Sequence, residues 1–254
     1  MNITLEYINS ELPAITIFQK LGYDYYDGKQ KEERENISEV ILKDRLIQTI
    51  KRINTTDEWE ISDNNVQKAY NELTNVYSSS LMESNQKVWE LIRGASFSVK
   101  QVINGREEYK SVWYIDYLHP ENNDFLVVNQ MKFHGRPQNS VPDLTVFING
   151  IPIAVIECKS PISPSAFDKA YEDLRYYQRN SEKLFWYNQI CAAIFEVGGR
   201  YGAIGAGKPH YSYYRTKDIT DLEALIERPP TAQDILIYNL FKKENLLDLI
   251  RHFV

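Results

Sequence analysis

The 254-residue sequence is short of several features, and each shortage removes a class of protein. It has two cysteines, Cys158 and Cys191, both inside apolar runs and neither at metal-ligand spacing. That argues against a disulfide scaffold or a cysteine zinc site, and makes a reduced, cytoplasmic protein the expectation. Its four histidines, His119, His134, His210 and His252, are scattered, and none pairs at metal-binding spacing. No run approaches the ~18 apolar residues of a membrane span, so no membrane association is expected. The first residues lack a basic segment followed by an apolar one, so no secretory leader is expected either. A basic excess is missing too: 29 Lys and Arg face 35 Asp and Glu, a net charge of −6. By itself this argues against a general electrostatic nucleic-acid binder. Repeats and low-complexity tracts are also absent.

What remains is an ordinary globular mixture, 43% apolar and 25% charged, long enough for one large core. The charge is uneven. From Lys159 to Lys217 there are nine Lys and Arg against five Asp and Glu, a local +4, which permits a basic groove in an acidic protein.

Three regions follow from periodicity: a helical segment at 1–94, a core at 95–217, and closing helices at 218–254. Glu11 to Leu21 is apolar at helical spacing, with Gly22 as its stop. Asp24 to Arg34, rich in tyrosine, glycine and charge, reads as a loop. Ser38 to Asn54 carries the clearest helical stripe, from Val40 to Ile53. Asp63 to Thr74 and Leu81 to Gly94 read as two further helices. From Ala95 the period becomes two. Ser96 to Val102 and Lys110 to Asp116 pair around Asn104-Gly105, and Asp124 to Phe133 is another strand. Leu144 to Ile148 and Ile151 to Ile156 form a hairpin around Asn149-Gly150. Ser165 to Arg179 is a helix with Ser165 as a possible N-cap. Gln189 to Val197 and Tyr201 to Ile204 are strands, and Ile219 to Arg228 and Ala232 to Phe253 are helices. The order predicts α/β or α+β with a mixed sheet.

The chemistry concentrates in that hairpin. Asp143 opens its first strand; Glu157 and Lys159 close its second, on one face, with Cys158 turned to the other. An antiparallel hairpin sets Asp143 beside Glu157. Two carboxylates at the end of an apolar run suit one or two Mg²⁺ or Mn²⁺ ions, with the Cys158 backbone carbonyl as a third ligand. Lys159 on the same face would orient the attacking water or stabilise charge in the transition state. Cleavage of a phosphodiester is the expected reaction.

Pro142-Asp143 … Glu157-Cys158-Lys159 resembles the PD-(D/E)xK nuclease motif. The wider stretch PDLTVFINGIPIAVIECKSP, with YIDYLHPENNDFLVVNQ before it and LFWYNQICAAIF after it, is similar to the N-terminal endonuclease domain of type I restriction enzyme R subunits. LLDLIRHFV resembles that family's connection to its motor. The resemblance implies a restriction-endonuclease-like core, a mixed sheet flanked by helices and preceded by a helical region. It also implies metal-dependent cleavage of double-stranded DNA. Methylation and specificity subunits would be partners, and ATP would be bound only by motor domains outside this chain, which then reads as a fragment or a free-standing module. The family carries a Gln-x-x-x-Tyr motif on the following helix. Tyr177 matches its tyrosine and Asp173 stands where glutamine is usual; three readings are open there, an added metal ligand, a weakened DNA contact, or a motif that slides by a residue. Many such enzymes place another acid on a preceding helix, and Glu90 is the candidate. A nuclease-fold module that no longer cuts, serving as a DNA-binding or docking platform, is the alternative, and Asp173 is its support.

Other features are weaker. Lys169, Arg175, Arg179 and Lys183, on or beside that helix, are placed to meet phosphates. Tyr211, Tyr213 and Tyr214 with Lys208, Arg215 and Lys217 make a stacking candidate. Gly202 to Lys208 nearly spells a phosphate loop, but Pro209 stands where Ser or Thr is needed, so a strand and glycine turn is the better reading.

Overall fold

A computed structural model of the chain describes residues 5–94, 96–216 and 219–253; Lys217 of the stacking candidate lies outside them. A turn of π-helix, Tyr7–Glu11, leads into α1, Leu12–Lys20. Pro13 gives the reason for the wider turn: it has no N–H and in a regular helix its ring would crowd the carbonyl four residues back, that of Asn9. The Leu12 N–H accordingly reaches back five residues to the Tyr7 carbonyl. Ala14, Ile15 and Phe18 bury the inner face, and Gly22, at φ +78°, ends the helix.

Asp24–Asp27 is a short strand, β1, parallel to a later one, and corrects the loop expected there. Its tyrosines and aspartates hide the pattern because it is a four-residue edge strand. The helix expected from Ser38 begins only at Lys43 (α2, Lys43–Ile53). Asn36 competes for the backbone upstream, its side chain accepting the Ser38 N–H at 2.9 Å. Val40, Ile41 and Leu42 are nevertheless buried. Two further helices, α3 (Asp63–Thr74) and α4 (Leu81–Ile92), start at the side-chain caps Ser62 and Ser80. The hairpin of β2 (Phe97–Ile103) and β3 (Arg106–Val112) forms a separate two-stranded sheet.

The central sheet takes in β4 (Phe125–Asn129), β5 (Leu144–Ile148) and β6 (Ile151–Cys158). A crossover of α5 (Ala166–Asn180) and α6 (Glu182–Tyr187) leads to β7 (Ile190–Ile194) and β8 (Gly199–Ala203). The order is β1-β4-β5-β6-β7-β8, with β1·β4 and β6·β7 parallel and the other pairs antiparallel. Every residue of β4, β5, β6 and β7 is buried. Strands covered on both faces read as continuous apolar runs and not as alternation. The missed helix α6 is six residues long, too short to show a period. Ser165 precedes α5 at φ +55° and makes no side-chain cap bond, so it is not the cap expected.

The last helices are α7 (Thr220–Ile226), α8 (Ala232–Phe241) and α9 (Lys243–His252). The single helix expected from Ala232 breaks at Lys242, where ψ is 128°. The hydroxyl of Tyr23 donates to the Phe241 carbonyl at 2.8 Å, tying the break to the end of α1. The first and last regions are therefore built into one core: β1 extends the sheet and α1 lies against α8.

The β5–β6 turn has both central residues left-handed, Asn149 at φ +55° and Gly150 at φ +78°, as a two-residue hairpin requires. A Cβ on Gly150 would lie 2.5 Å from the Leu42 carbonyl oxygen. Gly150→Ala is expected to destabilise the protein by more than about 2 kcal/mol, the left-handed penalty plus a backbone clash. Denaturant unfolding checks it; a loss below 1 kcal/mol (roughly the cost of backbone preference alone) would show that the turn yields.

Candidate active site

The open end of the β5–β6 hairpin gathers the charged residues. Near the turn Ile148 faces Ile151 and Phe147 faces Pro152, but farther along Val146 faces Ala154 and Leu144 faces Ile156. Ile153 is thus an extra residue on β6, a bulge beside a proline that cannot donate to the ladder. The bulge shifts the register by one. Continued from Leu144, it sets Asp143 opposite Glu157; without it Asp143 would face Ile156.

Asp143 is held at both carboxylate oxygens. Oδ2 accepts the backbone N–H of Cys158 at 2.7 Å, and Oδ1 accepts Gln130 Nε2 at 2.8 Å. Burial pushes its pKa up to about 7, against the lowering pull of the Cys158 N–H and Lys159. Glu157 is 4% exposed. Burial, and then the Asp143 charge, raise its pKa well above the usual carboxylate range. Its Oε1 accepts Lys159 Nζ at 2.6 Å, while Oε2 is buried with no hydrogen-bond partner. The Cys158 N–H points to Asp143, so in an extended strand its carbonyl points to the same edge. Its sulfur is fully buried.

Lys159 also meets Asp173 Oδ2 at 2.8 Å. Burial alone would lower its pKa; Glu157 and Asp173 reverse that and raise it. Asp173 therefore holds the Lys159 ammonium through an ion pair. Tyr177, one turn on, lies against the same carboxylates. Burial first, then Glu157, Asp143 and Asp173, raise its phenol's pKa and keep it protonated.

The remaining expectations separate clearly. Arg175 is hydrogen-bonded to Gln178, which in turn contacts Cys191, so it faces away from Lys159. Arg179 is exposed near the end of α5. Lys169 bonds Ser163 and Lys183 bonds the Ser38 carbonyl. Glu90 is hydrogen-bonded to Gln86 on α4, and among the described residues no bond joins its side chain to the hairpin. Lys208 is paired with Asp168 at 2.7 Å in a short 3-10 turn, with no helix to make a phosphate loop. Tyr211 is buried against Phe167 and Tyr171, and Tyr214 lies by Tyr201. Tyr213 sits on Arg200.

The acid that does approach the hairpin is Glu11, 4% exposed, in the π-turn. Its carboxylate accepts Asn129 Nδ2 at 2.8 Å and Gln130 Nε2 at 3.2 Å. Ser10 beside it donates to the Lys159 carbonyl at 2.8 Å. A sequence signal existed: Glu11 shares the helical stripe of Ala14, Ile15 and Phe18, so it was bound to point inward.

Among the described residues, no three His, Cys, Asp or Glu side chains converge as a complete ligand set. The donor set that remains is hard oxygen: Asp143, Glu157 and the Cys158 carbonyl. Mg²⁺ commonly takes only one or two protein carboxylates and keeps its waters. The unpartnered Glu157 Oε2, and two adjacent buried acids whose pKa values are raised, fit such a cation.

The mixed sheet, with two acids and a lysine at the end of its central hairpin, defines a restriction-endonuclease-like α/β core. The family described as the type I restriction enzyme R protein N terminus matches residues 5–210, and this chain belongs to it. It is 31% identical to a Methanocaldococcus jannaschii protein provisionally named as the type I restriction enzyme MjaIXP endonuclease subunit, over 96% of the chain and 25% of that protein. It is 28% identical to the type I restriction enzyme HindI endonuclease subunit of Haemophilus influenzae, over 93% of the chain and 23% of that protein. The chain thus spans about a quarter of these relatives' length.

Proposed function

We propose that this chain is a divalent-metal-dependent endonuclease acting on double-stranded DNA. The observation that carries the proposal is the register-matched pair Asp143 and Glu157, with Lys159 hydrogen-bonded to the second acid and a buried carboxylate oxygen left unpartnered. Asp143, Glu157 and the Cys158 carbonyl would hold Mg²⁺ or Mn²⁺. When bound, such an ion would neutralise phosphate charge and lower the pKa of a water. Lys159, kept cationic by its two acids, would orient an attacking water and stabilise charge on the phosphate. Asp173 fixes the lysine, and Tyr177 presents a protonated hydroxyl toward a phosphate oxygen. Arg179, exposed at the end of α5, is available to the DNA backbone; Arg175 has a structural duty toward Gln178.

The silent-module alternative drew its support from Asp173. That residue ion-pairs with Lys159, and this pairing supports the cutting reading over the silent one. In an intact R subunit, cleavage would be coupled to ATP-driven translocation by regions beyond residues 1–254, with specificity and methylation subunits as partners.

The test is supercoiled plasmid with Mn²⁺, and calorimetric titration of the protein with Mn²⁺. Wild type should nick the plasmid and bind the metal; Asp143→Ala should lose both. Binding that is unchanged in Asp143→Ala removes the proposed ligand set.

A further inference from the structure

We propose that Gln130 is a positioning residue for Asp143, and that it works by bridging Asp143 to the buried Glu11 of the N-terminal π-turn. The inference rests on the reading of Asp143 as a metal ligand. Gln130 holds Asp143 twice. Its backbone N–H donates to the Asp143 carbonyl at 2.9 Å, and its Nε2 donates to Oδ1 at 2.8 Å. The same Nε2 reaches Glu11 Oε2 at 3.2 Å. An amide NH₂ has two hydrogens, so both carboxylates are served at once.

The orientation of that amide is fixed from behind. The Tyr25 hydroxyl donates to Asn129 Oδ1 at 3.1 Å, which turns the Asn129 NH₂ toward Glu11. Glu11 is thereby held with its second oxygen facing Gln130. Without Glu11, the Gln130 amide would be held at Asp143 Oδ1 alone, and its second N–H would have no carboxylate to fix the plane of the amide. Gln130 also sits at φ +52°, a left-handed conformation that a glutamine adopts only where its surroundings impose it.

The consequence for Asp143 is specific. One oxygen is held by the Cys158 N–H and the other by Gln130, so each retains a lone pair for a cation while the plane of the carboxylate is set. Partners of this kind behind a ligand change metal affinity by about 10 to 100-fold.

The test is a double-mutant cycle with Gln130→Ala and Glu11→Gln. Gln130→Asn is added because asparagine tolerates positive φ but is too short to bridge. Calorimetric Mn²⁺ affinity, the Mn²⁺ concentration for half-maximal plasmid nicking, the rate at saturating Mn²⁺, and the metal-free thermal midpoint are read for each. Each Gln130 variant should bind Mn²⁺ about tenfold or more weakly and need correspondingly more Mn²⁺, while saturating metal restores most of the rate. The double variant should be little worse than Gln130→Ala alone, because the two residues act in series. Equal Mn²⁺ affinity across the set, additive losses, or a loss explained entirely by a lower thermal midpoint overturns the inference. Wild type that neither binds Mn²⁺ nor cuts would instead bring down the nuclease reading, and this inference with it.

Discussion

Lys159→Ala is expected to lower plasmid cleavage about a thousandfold, the upper end of what one preorganised charge contributes to a transition state. The loss should fall on the rate at saturating DNA and metal. Lys159 lies between Glu157 and Asp173, at 2.6 and 2.8 Å, and neither acid can stand in for a cation at the phosphate. Folding should survive. Removing the ammonium leaves Glu157 buried without its partner, but that acid's pKa is already raised, so it can take up a proton in place of holding an unpaired charge. Lys159→Arg separates charge from shape. It keeps the cation but spreads it over a fork that must fit between two acids set for a compact ammonium, so it should recover only part of the rate. Cleavage by Lys159→Ala within tenfold of wild type, at equal protein and Mn²⁺, would remove the lysine from the chemistry.

The candidate site was legible where the chain keeps its polar residues out of strands. Asp143, Glu157 and Lys159 stood out because β5 and β6 are otherwise apolar, and their faces followed from a period of two. The exact facing did not follow. A two-residue turn alone pairs Asp143 with Ile156, and only the bulge at Pro152–Ile153 brings Glu157 opposite. A proline inside a fully buried strand was the sequence sign of that bulge, since it cannot complete a central ladder. Glu11 and Gln130 were missed for another reason. They lie more than a hundred residues apart, and the amide that joins them earns its place through tertiary contact alone. The fold shows the same division. α3 starts and stops where its serine cap and apolar period end, whereas β1 exists because β4 offers it an edge, which no local period records.

The acids that make the site should also make the metal-free protein weaker, and Glu157→Gln should expose this. Asp143 and Glu157 both have folded-state pKa values raised by burial, and Glu157 further by the Asp143 charge. An acid with a raised folded pKa binds its proton more tightly when native. Its favourable contribution is therefore complete below the unfolded value near 4, and is lost as pH rises through the folded value, about 7 for Asp143. Glu32, Glu33 and Asp116, with lowered pKa values, act in the opposite direction but only below that window. Between pH 5 and pH 8 (roughly the span between the unfolded and folded values) the thermal midpoint of the metal-free protein should fall. Glu157→Gln keeps an oxygen for Lys159 and removes the charge that faces Asp143, so its midpoint should fall less. At the upper end of that window it should exceed wild-type stability by about 2 kcal/mol, the scale of an uncompensated buried polar group. Added Mn²⁺ should restore wild type by binding the native state alone, and should do little for the variant. The same substitution should abolish cleavage. A midpoint that climbs with pH in wild type, or a Glu157→Gln protein less stable than wild type in alkaline buffer without metal, would mean that these carboxylates are already compensated and have no vacancy for a cation to fill.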